Sequence, residues 1–197
     1  GFKILISRIN EWILLGSILL TYALVITWAN PSPLFFWVNS GAVIIQAVAY
    51  FLLVNKIWPK LQSINLNPFV KKLIKLALIS LMIKALLQAL LVLPEVAIIS
   101  YTIRMYVIGF LHLVLLGSMS FGVAGLAMAE KIWPVNFPTK LAWILIAIGF
   151  VGTEALLFGQ GTLVWLKLGY LSWYQSALFG FSTLFPLGLT IALIGLL

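Results

Sequence analysis

The chain has 197 residues, of which 63% are hydrophobic and only 8% are charged. This balance excludes a water-soluble globular domain, because too few charged side chains remain to cover its surface. The net charge of +8 comes from lysines and arginines near the ends of apolar segments, which is typical of membrane proteins, so no nucleic-acid partner is expected. The absence of cysteine excludes disulfides and cysteine-held zinc or iron–sulfur clusters.

Six apolar segments follow one another along the chain, and each is long enough to cross a bilayer core of about 30 Å as a helix of about 20 residues. They lie at about residues 12–29, 34–54, 73–93, 104–129, 141–158 and 172–197. A β-span would need about 9–11 residues of strict alternation, which none of these segments shows. The sequence therefore predicts an all-α, polytopic integral membrane protein that forms a single bundle of six transmembrane helices.

The connections between these segments are polar or contain proline, and they lie at residues 30–33, 55–70, 94–103 and 130–140. The third connection is mostly apolar and follows Pro94, which favours a short helix along the outer face of the membrane. The stretch 159–171 contains Gln160 and Gly161 and is predicted to be an interfacial loop.

Positive charge is distributed unevenly between the two sides of the predicted bundle. One side carries Lys3, Arg8, Lys56, Lys60, Lys71, Lys72, Lys131 and Lys140. The opposite side carries only Arg104 and Lys167. Because cytoplasmic loops concentrate Lys and Arg, this pattern predicts that both termini face the cytoplasm, and we expect a bacterial cytoplasmic (inner) membrane. Tryptophans fall at or near the predicted span ends, as in an interfacial belt: Trp12, Trp28, Trp37, Trp58, Trp133, Trp143, Trp165 and Trp173.

One short motif occurs twice. Lys-Ile-Trp-Pro ends span two at Pro59 and span four at Pro134, and each copy is followed by a polar link and another span. Spans 2–3 and 4–5 are therefore a possible parallel repeat, an arrangement that often places a site at the repeat interface. The alternative is that the motif is a generic cytoplasmic stop, with Lys for the headgroups, Trp for the interface and Pro to end the helix.

Three ionisable residues lie inside predicted spans, where charges are costly and usually functional: Lys84, His112 and Glu154. At about 1.5 Å per residue, the depth from the cytoplasmic interface is roughly 18 Å for Lys84, roughly 21 Å for Glu154 and roughly 27 Å for His112. The similar depths of Lys84 and Glu154 predict an ion pair between spans three and five. A proton or ion relay is a second reading, and separate solvation of the two side chains is a third.

Ser80 and Gln88 lie one turn before and one turn after Lys84 on the same face. With the three ionisable residues they form a predicted intramembrane polar cluster of Ser80, Lys84, Gln88, His112 and Glu154.

His112 is the only histidine of the chain. Three alternative roles are predicted for it. The first is a hydrogen bond across helices or to Glu154, the second is axial ligation of haem, and the third is proton relay or contact with a quinone. Haem would need a second ligand such as Met82 or a histidine from a partner. The missing side chain of Gly109, nearly one turn away, leaves room for a flat ring or for a neighbouring helix.

The fourteen residues from Arg104 to Gly117 resemble the histidine-bearing span of a set of uncharacterised bacterial polytopic membrane proteins. Those proteins are distantly similar to haem-copper oxidase subunit I and to the haem- and copper-containing NnrS family. The shared element is a histidine followed five residues later by a glycine, here His112 and Gly117. The resemblance implies that His112 is an axial haem ligand, although this chain lacks the further histidines of those families.

These features predict an integral membrane subunit or accessory protein of a membrane complex, respiratory or redox-linked. Its expected partners are the lipid bilayer and other membrane-protein subunits. The alternative is a small transporter or channel that uses Lys84 and Glu154 as coupling residues and Pro186 as a hinge. No catalytic or metal-binding motif is present, so we expect no catalytic activity from this chain alone.

Overall fold

The computed structural model describes residues 8–21 and 33–195, which are helical apart from short links and contain no strand. The helices are α1 (Arg8–Thr21), α2 (Pro33–Ser63), α3 (Pro68–Leu90), α4 (Pro94–Thr102), α5 (Arg104–Ala129), α6 (Phe137–Trp165), α7 (Tyr174–Ser182) and α8 (Leu184–Ile194). The predicted all-α class is confirmed for these residues, and the short helix expected after Pro94 is α4.

Five of these elements are long and apolar enough to cross a membrane: α2, α3, α5, α6 and the segment Tyr174–Ile194, which comprises α7 and α8. The protein is therefore a multi-pass membrane protein. In the first predicted span, 12–29, the structure shows an apolar helix only over Trp12–Thr21, and residues 22–29 lie outside the described part. Six spans and cytoplasmic termini thus stay predictions.

The helices belong to two compact units. The first comprises Gly1–Asn65 and Leu81–Ile98, and the second comprises Leu66–Ser80 and Ile99–Leu197. In the first unit α1 packs against α2, and the buried positions of α2 carry small side chains such as Ala42 and Ala49. Small residues allow helices to approach closely in a bilayer, where no hydrophobic effect drives their association.

Helix α6 is the centre of the second unit, and it packs against α5, α7 and α8. Its buried residues recur every three or four positions, as expected for one helix face. Phe121 of α5 is completely buried, and its ring lies 5.7 Å from the ring of Trp143 and 5.5 Å from that of Phe150. Trp143 thus lies in the aromatic core of this unit, whereas Trp165 and Trp173 are exposed, and the interfacial belt stays a prediction.

The two Lys-Ile-Trp-Pro motifs have different backbone structures. At the first copy α2 continues through Pro59 to Ser63, so the predicted helix end at Pro59 is wrong. Ile57 and Leu61, one turn apart, are both buried and hold this last part of α2 in place although Pro59 lacks an N–H. At the second copy α5 has already ended, and Lys131 adopts a φ of 60°. The motif therefore specifies no common local structure, and the parallel repeat stays a prediction.

The predicted loop at 159–171 is also wrong in its first half, because α6 runs on to Trp165. Gly161 does not break the helix but makes room for the ring of Tyr106, which a Cβ at this position would approach to 3.0 Å. Helix α6 ends where Lys167 takes a φ of 58° and the amide of Leu168 donates to the carbonyl of Leu163 at 2.9 Å, a common way to close a helix.

The C-terminal span is interrupted between α7 and α8 at Thr183. Pro186 lies in the first turn of α8 and lacks the N–H that would continue the helix across this point. The interruption coincides with the region in which the sequence predicts a hinge.

Candidate functional site

Helix α5 changes its winding immediately after His112. The segment Arg104–His112 is α-helical, Leu113–Ser120 is a π-helix, and Phe121–Ala129 is α-helical again. The hydroxyl of Ser120 donates at 2.8 Å to the carbonyl of Leu115, five residues earlier, which reinforces the wide turn. Segments of π-helix are rare and frequently mark functional sites.

Gly117 lies in the middle of this π-helix and is buried. A Cβ at Gly117 would lie 2.7 Å from the ring of Phe150 and 2.7 Å from the side chain of Ser80. The wide turn is therefore packed tightly against α6 and against the part of α3 that belongs to the same unit. Only a glycine allows this approach.

In its second half, helix α6 carries three buried polar side chains. Thr153 and Gln160 are completely buried, and Glu154 is 8% exposed. Thr153 satisfies its hydroxyl locally by donating to the carbonyl of Phe150 at 3.0 Å. Gln160 donates to the carbonyl of Gly169 at 3.1 Å and accepts from the amide of Leu171 at 2.9 Å, so it fixes the link between α6 and α7.

Glu154 lies next to His112. Nδ1 of the imidazole is 3.3 Å from Oε1 of the carboxylate, and the two side chains are 30% and 11% exposed. This distance is within ion-pair range, but the atoms are not aligned for a hydrogen bond, and neither carboxylate oxygen has another hydrogen-bond partner in residues 8–21 and 33–195. The contact is also longer than the about 2.7–2.9 Å of a charge-assisted hydrogen bond.

The remaining members of the predicted cluster lie elsewhere. Ser80 is buried against Gly117 in the second unit. Lys84 and Gln88 belong to the first unit, where Nζ of Lys84 lies 5.2 Å from the centre of the Tyr50 ring. The structure therefore brings His112 and Glu154 together, whereas the Lys84–Glu154 ion pair joins residues of different units and stays a prediction.

Sequence reasoning did not single out two buried amides of α2. Asn39 and Gln46 are 2% and 4% exposed, and their side-chain oxygens make no hydrogen bond to any described residue. They are seven positions apart and therefore lie on one face of the helix. The signal was present in the sequence as two amide side chains at helical spacing within an apolar segment.

His112 partly fits the role of a haem ligand. A carboxylate beside one imidazole nitrogen is the usual arrangement for a metal-bound histidine, and it leaves Nε2 of His112 for another partner. The room beside Gly109, however, is filled by the ring of Phe158, which a Cβ at Gly109 would approach to 2.9 Å. The described residues also contain no group of three histidine or acidic side chains that could hold a metal ion.

The fold and the site define a class: a multi-pass helical membrane protein with a His–Glu contact inside its spans. Comparison with protein-family models, with curated proteins and with solved structures gives no match. The resemblance of Arg104–Gly117 to the oxidase and NnrS families therefore stays a prediction.

Proposed function

We propose that this chain is a membrane-embedded subunit or accessory protein of a larger complex, respiratory or redox-linked, in the bacterial cytoplasmic membrane. The observation that supports this most is the exposure of the C-terminal span, Tyr174–Ile194. In the most apolar 18-residue stretch of this span, only 6% is buried within the chain. In the corresponding stretch of α6, 44% is buried. The span packs against α6 on one side, and the rest of its surface is left for lipid or for other helices.

The exposed side of this span carries a feature that favours a helical partner over lipid alone. Ser176 and Gly180 are four residues apart and both are exposed. Nothing in the described chain lies within 4 Å of a Cβ placed on Gly180. Pairs of small residues at this spacing allow two membrane helices to approach closely and pack.

The subunit proposal is tested by placing a large side chain at the exposed glycine. The tagged chain is purified from native membranes in a mild detergent, and native mass spectrometry gives the mass of the complex. We expect a defined assembly heavier than the 21.8 kDa chain, which Gly180→Ile dissociates. Gly159→Ile is the matched control, because its Cβ also meets nothing, but it lies on α6. A monomer in every preparation, or equal effects of both variants, would contradict the proposal.

The redox-linked part of the proposal depends on His112. An absorption spectrum of the purified complex tests it directly, because haem gives an intense Soret band. We expect this band to vanish in His112→Ala and to persist in Glu130→Gln, which changes an exposed carboxylate at the end of α5. A colourless complex would remove the haem role and leave the subunit role intact.

A second candidate, a small transporter or channel, is favoured by the presence of ionisable side chains within the spans. Lys84 and Glu154 would then be the coupling residues, with flexibility near Pro186. Ion flux into proteoliposomes that contain only this chain tests it. Lys84→Met and Glu154→Gln are each expected to abolish flux, whereas Lys167→Met, in an exposed link, is expected to leave it unchanged. Absence of flux in the unmodified protein would contradict this candidate.

A further inference from the structure

The start of α3 lies beside the end of α5 within the second unit. A Cβ at Gly125 would lie 2.6 Å from the side chain of Ile74, and one at Gly117 would lie 2.7 Å from that of Ser80. Later positions of α3 thus meet earlier positions of α5, so the two segments run antiparallel. The first turn of α3, which precedes Ile74, is therefore at the same end of the unit as the last turn of α5.

The start of α6 lies at this end as well. The ring of Trp133, which follows α5, stacks on the ring of Trp143 with the centroids 6.0 Å apart. Trp143 lies within about two turns of Phe137, the first residue of α6. The link 130–136 and the first turns of α3 and α6 therefore form one end of the second unit.

This end carries an excess of positive charge. Its lysines, which define a surface that we call the basic end, are Lys71, Lys72, Lys75, Lys131 and Lys140. The second unit contains two carboxylates. Glu130 lies at the basic end, whereas Glu154 lies within the span beside His112. Five lysines thus share the basic end with one carboxylate, and a surface of this kind attracts anions.

Two helices begin at the basic end, and their caps add no negative charge. Asn67 caps the start of α3 and Asn136 caps the start of α6, in each case with a neutral amide oxygen. The N-terminus of a helix carries a partial positive charge, which favours anions and disfavours cations. Lys72 and Lys140 lie within the first two turns of these helices. An anion from outside the chain would therefore stabilise both helix starts.

Exposed apolar side chains lie among these lysines. Ile132 directly follows Lys131 and is 72% exposed, and Phe137 lies three residues before Lys140 and is 76% exposed. A free phosphate ion makes no favourable contact with such side chains, whereas a phospholipid combines an anionic headgroup with acyl chains. The basic end also lies at the ends of helices long enough to cross the bilayer, which is where headgroups are found.

We propose that the basic end binds an anionic phospholipid. Lys72, Lys131 and Lys140 hold the headgroup phosphate as point charges, because an ammonium group needs no fixed geometry to bind a phosphate. Ile132 and Phe137 contact the upper part of the acyl chains. The basic end belongs to the side predicted to face the cytoplasm, where the membrane surface is negative. This inference is independent of whether the chain acts as a subunit or as a transporter.

The test compares three probes on the full chain in a mild detergent. The protein is titrated separately with phosphatidylglycerol, which is anionic, with phosphatidylcholine, whose phosphate is balanced by its own cation, and with inorganic phosphate. Native mass spectrometry counts the molecules that remain bound. We expect phosphatidylglycerol to bind at least about tenfold more tightly than either other probe, and its affinity to fall as ionic strength rises.

The decisive variant combines Lys72→Gln with Lys140→Gln. It should weaken phosphatidylglycerol about 25-fold, about fivefold for each lysine, and should leave phosphatidylcholine unchanged. Arg104→Gln combined with Lys167→Gln is the matched control, because it removes the same charge from exposed residues at the other end of the unit. Phe137→Ser should weaken both phospholipids alike, because their acyl chains lose the same contact.

Four results would overturn the proposal. The first is equal affinity for the two phospholipids, and the second is equal loss in the two double variants. The third is inorganic phosphate bound as tightly as phosphatidylglycerol, which would make the basic end a site for a free anion. The fourth is unchanged lipid binding with loss of a protein subunit, which would make it a protein surface. If the lysine variant does not fold, the unmodified protein still decides, because a phosphatidylglycerol affinity that is independent of ionic strength contradicts binding by these lysines.

Discussion

The side-chain amide of Asn136 donates a 2.8 Å hydrogen bond to the backbone carbonyl of Gly195, which ties the start of α6 to the end of α8. The carbonyl oxygen of the same side chain accepts from the amide of Thr139 at 3.0 Å and caps the N-terminus of α6. One residue thus closes two helix ends, which lie 59 positions apart in the sequence.

Replacing Asn136 should therefore destabilise the second unit in two separable steps. Asn136→Ala removes the bond to Gly195 and the cap, in which the side-chain oxygen accepts from both the amide and the hydroxyl of Thr139. It should cost about 2 kcal/mol, about 1 for the cap and about 1 for the bond to Gly195. Asn136→Asp keeps an acceptor for the cap but removes the donor, so it should cost about half as much. Thermal unfolding in detergent gives the comparison. If both variants lose the same stability, the cap contributes nothing, because Asn136→Asp keeps the cap and Asn136→Ala does not.

Gly117 should not tolerate a side chain. Gly117→Ala places a methyl group against Phe150 and Ser80 within the π-helix and should destabilise the protein by about 1–3 kcal/mol, the usual cost of overpacking. Gly159→Ala is the control, because nothing lies near its Cβ and alanine is the better helix former by about 0.5–1 kcal/mol. An unfolding temperature that is the same for Gly117→Ala and Gly159→Ala would show that the π-helix is not packed as described.

Gln160 should be required for the order of the link between α6 and α7. Gln160→Leu leaves the carbonyl of Gly169 and the amide of Leu171 without their partner, which should cost about 1–3 kcal/mol. The measurement is hydrogen exchange at the amide of Leu171, which is expected to become faster in this variant. Gln175→Leu, an exposed glutamine on α7, should not alter that exchange. Unchanged protection of Leu171 in Gln160→Leu would refute the assigned role.

In the first unit, Lys84 and Tyr50 should be energetically coupled. A double-mutant cycle with Lys84→Met and Tyr50→Leu should give a coupling energy of about 1 kcal/mol, as expected for a cation above a partly desolvated aromatic ring. The same cycle with Tyr50→Phe should keep most of that coupling, because the ring remains. A coupling near zero in the first cycle would mean that the contact at 5.2 Å has no energetic weight.

The sequence predicted the membrane class because span length and apolar composition are properties of single segments. The fourth predicted span, 104–129, coincides with α5. Helix ends were harder to predict. Pro59 and Gly161 are local signals for a break, but packing of Leu61 and of Tyr106 keeps α2 and α6 helical there. Tertiary contacts, which no local signal contains, decided both cases.

The site was predicted only in part, because it too depends on tertiary contacts between helices. Composition identified His112 and Glu154 as residues that need partners, and their contact was one of several alternatives. The spans are apolar nearly all round, so the sequence does not reveal which face of each helix meets which neighbour. The π-helix after His112 was not predicted, because Gly117 and Ser120 are the residues that favour it and such small residues also occur in regular membrane helices.

The most direct test of this account is the distance between the imidazole of His112 and the carboxyl of Glu154 in a lipid bilayer. Solid-state magnetic resonance measures the dipolar coupling between labelled histidine ring nitrogens and labelled glutamate carboxyl carbons. A strong coupling is expected, and it should disappear in Glu154→Gln and persist in Glu130→Gln. If no coupling is found in the unmodified protein, or if it survives in Glu154→Gln, the two side chains do not meet within the membrane and the described packing of α5 against α6 is wrong.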